Sequence, residues 1–319
     1  MDNDQNLKDQ EFILDIGEIF AVIFKNLSKI SIITSVFALL AIIYSLLLTP
    51  VYRSEALLSP AKNSTSQSNS LLGGLSSIGG LIGADFSGES IDNSTLAIEA
   101  GNKRDFLYHF IKKRNLLVPI LAAKDWDINS RNYSINENIY DINSNKWVFY
   151  DTEDPYEFIF YEAYLLIFDK IEIEEDRRTK IVKITLDHAS PYIAKEWLDW
   201  LIFDLNEYFK IRDSERANNA INYLMNEIES NTSSKLDSVF SSLIEQQSNT
   251  LVLANSTDEY VFEILESPQV PIQRVSPRRT LIVLAITIIG GFFSVLYVLF
   301  TYWTGYHLTM RGFKKKLES

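Results

Sequence analysis

Two uncharged apolar runs, residues 30–48 and 281–303, stand at opposite ends of the chain. At about 1.5 Å per helical residue, each is long enough to cross a hydrocarbon core of roughly 30 Å. Thr287, Ser294 and Thr301 do not interrupt the second run, because a helical hydroxyl can bond to a backbone carbonyl. Tyr297, Tyr302 and Trp303 fall toward its far end, where amphipathic rings prefer the headgroup region. Ahead of the first run, Ile13, Ile16, Phe20, Phe24 and Leu27 recur at helical spacing, the pattern of a short interfacial helix. The approach to the second run carries Pro268, Pro271 and Pro277, and proline bars a continuous helix. The chain is therefore expected to arrive extended, with the prolines setting its angle, and to enter the membrane at Arg278 and Arg279. Gly290 and Gly291 sit mid-span. They either let another helix approach closely or are glycines that membrane helices tolerate.

Between the runs the periodicity changes several times. After Pro50, the set Val51, Arg53, Glu55 alternates against Tyr52, Ser54, Ala56, which predicts a strand ending at Pro60. Residues 63–69 read as a mobile polar loop. Residues 71–83 are glycine-rich and apolar, without a lysine or a GxGxxG pattern, and predict a loop that packs against a neighbour, as at an oligomer interface. Residues 94–112 resume a helical period through Leu96, Ile98, Phe106, Leu107, Phe110 and Ile111. Residues 123–145 are rich in Asn, Asp, Ser and Tyr and are expected to be irregular. A helix is expected over 155–173 and a strand over 177–186.

Ser190 and Pro191 then open a helix, with Ser as N-cap and Pro at the first helical position. Ile193, Trp197, Trp200, Leu201, Leu205, Tyr208 and Phe209 form a wide apolar face. The period continues through Leu224 and Ile228, then Val239 and Leu243, so the long helical part covers about 190–255. As one helix, residues 213–254 would span about 63 Å. The polar interval 229–235 either breaks it into an antiparallel pair or lies where a long rod has no core to face. Residues 259–265 alternate again as a strand. The strands after the first span, before the long helix and before the second span are expected to share one sheet.

The leading residues 1–29 are too long and acidic, and the first apolar run too extended, for a signal peptide. The only small-x-small candidate nearby, Ser54-Glu55-Ala56, lies past the end of the run. Two spans put both termini on one side. Lys25 and Lys29, with Arg311, Lys314, Lys315 and Lys316, favour the cytoplasm for residues 1–29 and 304–319. Residues 49–280 are then periplasmic if the cell is Gram-negative. The formal net charge is -12, and because the two tails cancel, all of it falls on this loop. Such an acidic domain stands off anionic lipid and is unsuited to non-specific nucleic-acid binding. There is no cysteine, and His109, His188 and His307 are scattered. No catalytic, cofactor-binding or metal-ligating residue is therefore assigned.

The order of these features resembles the polysaccharide co-polymerases, the Wzz-type chain-length determinants. Four stretches carry the resemblance. The first is the strand with Pro50, Tyr52, Ala56, Leu58 and Pro60. The second is Ser190-Pro191-Tyr192-Ile193-Ala194-Lys195-Glu196-Trp197, similar to the family's Asp-Pro-x-x-Ala-x-x-Trp with Ser for Asp. The third is the helix from Ala217 past Leu243, and the fourth is the proline-marked second span with Gly290 and Gly291. The segment 125–161 departs from the family pattern.

The resemblance implies an α+β membrane protein in the inner membrane. Two transmembrane helices would flank a periplasmic domain with a membrane-proximal α/β base and a long extended helix. It implies a bell-shaped homo-oligomer that works with an O-unit polymerase and sets the number of sugar repeats on a lipid-linked glycan such as O-antigen lipopolysaccharide. Membrane lipid is the other partner. Residues 304–319 are too short for the tyrosine kinase that some relatives carry. A non-catalytic regulator of polymerisation is the leading expectation. An export co-polymerase for capsule or exopolysaccharide is the second, and a two-span periplasmic sensor the third. The positions singled out are Pro50 and Tyr52 in the base strand, the three prolines of the approach, the two span glycines, and Leu224, Ile228, Val239 and Leu243 for long-helix packing.

Overall fold

A computed structural model describes residues 16–61, 93–148, 155–230 and 234–317. The two loops expected over 63–69 and 71–83 lie outside the described residues. The chain divides into two compact units, one of residues 1–50 with 276–319 and one of residues 51–275.

The first unit is helical. Helix α1 (Ile16–Lys25) is separated by Asn26 from α2 (Leu27–Leu47). Asn26 turns its side chain back onto the chain, donating from Nδ2 to the Val22 carbonyl at 2.9 Å.

In the second unit, β1 (Val51–Pro60) is followed by α3 (Asn93–Gly101), α4 (Arg104–Lys113) and α5 (Leu117–Leu121). Next come the short strands β2 (Ala123–Lys124), β3 (Ser134–Ile135), β4 (Tyr140–Asp141) and β5 (Lys146–Trp147). Then follow α6 (Pro155–Phe168), β6 (Ile171–Glu175), β7 (Val182–His188), α7 (Pro191–Ser230), α8 (Ser234–Ser256), β8 (Phe262–Glu266) and β9 (Arg274–Ser276). The last helix, α9 (Arg279–Leu317), returns to the first unit.

The three expected strands share one sheet, in the order β6-β7-β1-β8, with β9 also on β1. The pairs β6–β7, β7–β1 and β1–β8 are antiparallel, and Tyr52 stands opposite His188, Ala56 opposite Ile184, and Leu58 opposite Val182. Period-two alternation decides the faces. Ser54, Ala56 and Leu58 are buried with Val182, Ile184 and Leu186. On the other face Arg53 pairs with Asp187, and Lys183 reaches Glu55. The buried face meets Phe106, Leu107 and Phe110 of α4, Ile167 of α6, and Trp197, Leu201, Leu205 and Phe209 of α7 in one core.

Helix α4 ends where Asn115 takes a left-handed conformation, φ 54°, and Leu116 N–H bonds back to the Ile111 carbonyl at 2.9 Å. That is the usual way to close the last open carbonyls of a helix, and Asn tolerates the conformation.

Three expectations change. Residues 123–147 are ordered as two small hairpins, β2–β3 and β4–β5. The signal lay in a repeat, Asp127-Ile128-Asn129-Ser130 and Asp141-Ile142-Asn143-Ser144. In both copies the aspartate accepts from the backbone N–H two residues on and the serine hydroxyl three residues on. These bonds hold both exposed carboxyls below their usual range, Asp127 chiefly through Asn129 N–H and Asp141 chiefly through Ser144. The helix expected over 155–173 stops at Phe168, and its last residues belong to β6. Ser190 precedes α7 as expected, but its hydroxyl donates to the Ser130 carbonyl at 3.0 Å, tying the helix start to the first repeat.

The long helical part is a pair. Helix α7 has 40 residues, about 60 Å at 1.5 Å each. Lys210, halfway along it, bonds to Thr257 and Asp258 just beyond α8. Ser230 and Ser234 are only four positions apart, so α8 must run back antiparallel to α7. Neither helix stands alone, as the thin apolar stripe beyond Phe209 required.

Candidate functional site

Helix α7 brings two polar groups, Asp204 and Asn206, into the α/β core. Asp204, its side chain fully enclosed, accepts from Arg114 at 2.8 and 2.7 Å and from Lys113 at 2.6 Å. Lys113 also pairs with Glu207. Bonding to Asp204 holds the Arg114 guanidinium above its ordinary pKa. The same guanidinium lies over the Trp200 ring at 5.2 Å and the Phe203 ring at 5.7 Å. A buried carboxylate is tolerable only when paired this fully.

Two residues on, Asn206 accepts from Val261 N–H at 2.8 Å and Phe262 N–H at 2.9 Å, and donates to the carbonyls of Phe262 and Ile202. All four bonding positions of this buried amide are thereby occupied.

His188 closes β7 between Trp126 and Trp197, with ring centroids at 4.4 and 4.9 Å. Burial, with Lys170 nearby, brings its pKa down to about 3, and its Nδ1 accepts from Ser190 N–H. The imidazole is a neutral core ring whose free nitrogen is already committed. Among the described residues, no three of His, Cys, Asp and Glu gather as a metal site. A depression of about 560 Å³ beside α7 is lined by Arg114, Trp200 and Phe203 together with Asp199, Asp258 and Glu259. Arg114 lies over both rings, and nothing there pairs a nucleophile with a base.

The helical unit contains the other candidate. The apolar helices, Leu27–Leu47 and Arg279–Thr304, are 21 and 26 residues long. At about 1.5 Å per residue, both exceed a hydrocarbon core of roughly 30 Å. Ile32, Leu39, Ile288, Phe292 and Phe300 are exposed, as side chains facing lipid would be. The helices run antiparallel, because Thr34 meets Ser294, Phe37 meets Gly290, and Leu48 accepts from Arg279. Small residues let them approach: Ala41, Ser45, Gly290 and Ser294 are buried in the seam. Ser294 donates its proton to the Gly291 carbonyl at 2.7 Å, so Thr34 donates to Ser294 across the seam at 3.3 Å.

The residues chosen from sequence fall in different places. Gly290 faces the first span of its own chain, and a Cβ there would sit 2.5 Å from Phe37 Cβ. At Gly291 the nearest atom would be Thr34 at 3.8 Å, an ordinary contact. Pro268 is buried in the α/β unit, next to Gln269, whose carbonyl accepts from Ser54. Pro271 is half-buried, and Pro277 lies two residues before α9. Tyr52 is half-buried in β1, and Pro50 precedes that strand. Leu224 is buried on α7, while Ile228, Val239 and Leu243 are half-buried on the helical pair. Sequence reading missed Asp204, Asn206 and Arg114, since a polar residue on an apolar helical face shows its partner only after folding.

Residues 13–95 match the family model described as Wzz, chain length determinant protein. Over those residues the chain is similar to Wzz-type proteins. The match covers the first span and β1 and reaches the start of α3. Two solved structures are similar to the chain. One is a full-length bacterial polysaccharide co-polymerase, 12% identical, covering 91% of this chain and 98% of that one at a TM-score of 0.39. The other is a fragment of WzzB, a polysaccharide co-polymerase from Salmonella Typhimurium, 12% identical, covering 71% and 100% at a TM-score of 0.27. No curated protein matches the sequence. The chain has the expected architecture, an α+β unit between two apolar helices.

Proposed function

We propose that this chain is a non-catalytic regulator of surface polysaccharide polymerisation. It sets the modal length of an O-antigen-like lipopolysaccharide together with a membrane polymerase. The observation that carries the reading is the chain length determinant match over residues 13–95. In this reading the protein is a homo-oligomer of the bacterial inner membrane. Residues 1–29 and 304–319 are cytoplasmic and residues 49–280 periplasmic, which the basic residues Lys25, Lys29, Arg311 and Lys314 support. Its contacts are with other copies, the polymerase, membrane lipid and the lipid-linked glycan.

The singled-out residues then act in assembly. Pro268, Pro271 and Pro277 set the path into the second span, and Pro50 and Tyr52 start the sheet. Gly290 and Gly291 let helices approach closely. Leu224, Ile228, Val239 and Leu243 pack the helical pair. The test is a gel separation of surface polysaccharide from cells with and without the gene. A modal cluster of band lengths that collapses to a short, decaying ladder is the expected result. Disappearance of the polymer would assign an export role instead, and an unchanged ladder would refute length control.

A further inference from the structure

The two spans leave a groove of about 440 Å³ between the last turns of α2 and the first turns of α9. Ile42, Leu46, Val283 and Leu284 form its apolar walls, and Ser45 and Arg279 are polar groups within it. The Ser45 side chain is 2% exposed, and among the described residues its hydroxyl has no hydrogen-bond partner. The Arg279 Nε is enclosed and also has none. Its Nη2 reaches the Leu48 carbonyl at a long 3.5 Å. Thr287 offers no relief, because its hydroxyl donates to the Val283 carbonyl at 2.7 Å. Among the described residues, no carboxylate lies within ion-pairing distance of Arg279.

This arrangement is expensive as it stands. A guanidinium at the edge of an apolar span should find an anion or water, and buried donors without partners cost free energy. The start of α9 adds the partial positive charge of a helix N-terminus. The groove thus places a fixed cation, a helix dipole and an idle hydroxyl at the head of a greasy channel. An anionic tetrahedral oxygen group fits the head, since a guanidinium fork and a hydroxyl can bond several of its oxygens together. A hydrocarbon chain fits the walls. A free phosphate ion would satisfy the head and leave the walls empty.

We propose that this groove seats one phosphate-headed membrane lipid, its phosphate on Arg279 and Ser45 and an acyl chain along Ile42, Leu46, Val283 and Leu284. The site depends on the two helices spanning a membrane and is independent of the polysaccharide role. It is tested by native mass spectrometry of the full-length chain in non-ionic detergent. The probes are dioleoylphosphatidylglycerol and dioleoylglycerol, which share acyl chains and differ in the phosphate headgroup. The phosphatidylglycerol adduct should survive activation several-fold better than the dioleoylglycerol adduct. Arg279→Gln should erase that preference, and Ser45→Ala, a smaller change that leaves the cation in place, should reduce it. Arg278→Gln should leave it intact, since Arg278 is exposed and outside the groove. An excess of inorganic phosphate should not displace the lipid. Equal retention of both lipids, full retention in Arg279→Gln, an equal loss in Arg278→Gln, or displacement by phosphate would each overturn the proposal.

Discussion

Arg114 holds both carboxylate oxygens of Asp204, at 2.8 and 2.7 Å, where the Asp204 side chain has no solvent exposure at all. The pair joins the end of α4 to the middle of α7. Removing one partner of a buried pair typically costs about 3–5 kcal/mol, because the remaining charge stays enclosed. Here Lys113 still reaches Asp204 at 2.6 Å, which moderates the loss. Arg114→Met should therefore destabilise the α/β unit by about 2–3 kcal/mol. Lys195→Met, which breaks the half-exposed pair with Asp199, should cost less than about 1 kcal/mol. Unfolding of the full-length chain followed by tryptophan fluorescence checks both, since Trp126, Trp197 and Trp200 lie in this unit.

Asn206 ties α7 to the strand that follows the helical pair. Its Oδ1 accepts from the N–H groups of Val261 and Phe262. Asn206→Leu leaves both donors buried without a partner, at about 1–3 kcal/mol each, so a loss of about 2–5 kcal/mol is expected. Asn206→Asp keeps the acceptor but loses the two donated bonds and buries a charge, so it should not restore stability. Comparative thermal unfolding of the three proteins would show both effects.

His188 makes stability depend on pH. In the unfolded chain the imidazole takes up its proton near pH 6.5, while in the fold its pKa is about 3. Between these values the unfolded state binds the proton that the folded state refuses, so stability falls as pH drops through this window. The slope approaches about 1.4 kcal/mol per pH unit and vanishes below the folded value. His188→Gln keeps an acceptor for Ser190 N–H and removes the titration. The difference in stability between wild type and variant should therefore vary with pH below 6.5 and be constant above about 7.5. A difference that stays constant from pH 7.5 to about 4 would show that the ring is not held neutral.

Gly290 and Gly291 should part company on mutation. A methyl at Gly290 meets Phe37 Cβ and Cγ at 2.5 and 2.6 Å, close to the backbone of the opposing helix, where no flexible tip can swing away. Gly291→Ala meets only ordinary contacts. Because the chain has no cysteine, Thr34→Cys with Ser294→Cys gives a clean crosslink across the seam. Its yield should fall several-fold when Gly290→Ala is added and hold when Gly291→Ala is added.

Much of the architecture was visible in local patterns. The uncharged runs announced two helices, and alternation announced strands over 51–60 and 177–186, the second of which starts only at Val182. The repeated Asp-Ile-Asn-Ser was equally visible in the sequence. Its composition read as irregular structure, although each copy builds a turn through its own side chains. The polar interval between Ile228 and Leu236 left two geometries open, because periodicity reports a helix face and not its direction in space.

Hydropathy and short-range period are properties of neighbouring residues, so the two apolar runs, the strands and the apolar faces of the long helices follow from local pattern. Pairing across distance is a property of the folded chain. Packing in three dimensions is what returns α8 along α7, buries Asp204 and Asn206 with their partners, and sets Gly290 against Phe37. The physical reason is the same in each case. A buried polar group or a glycine has no preferred partner until packing brings one within bonding or contact distance.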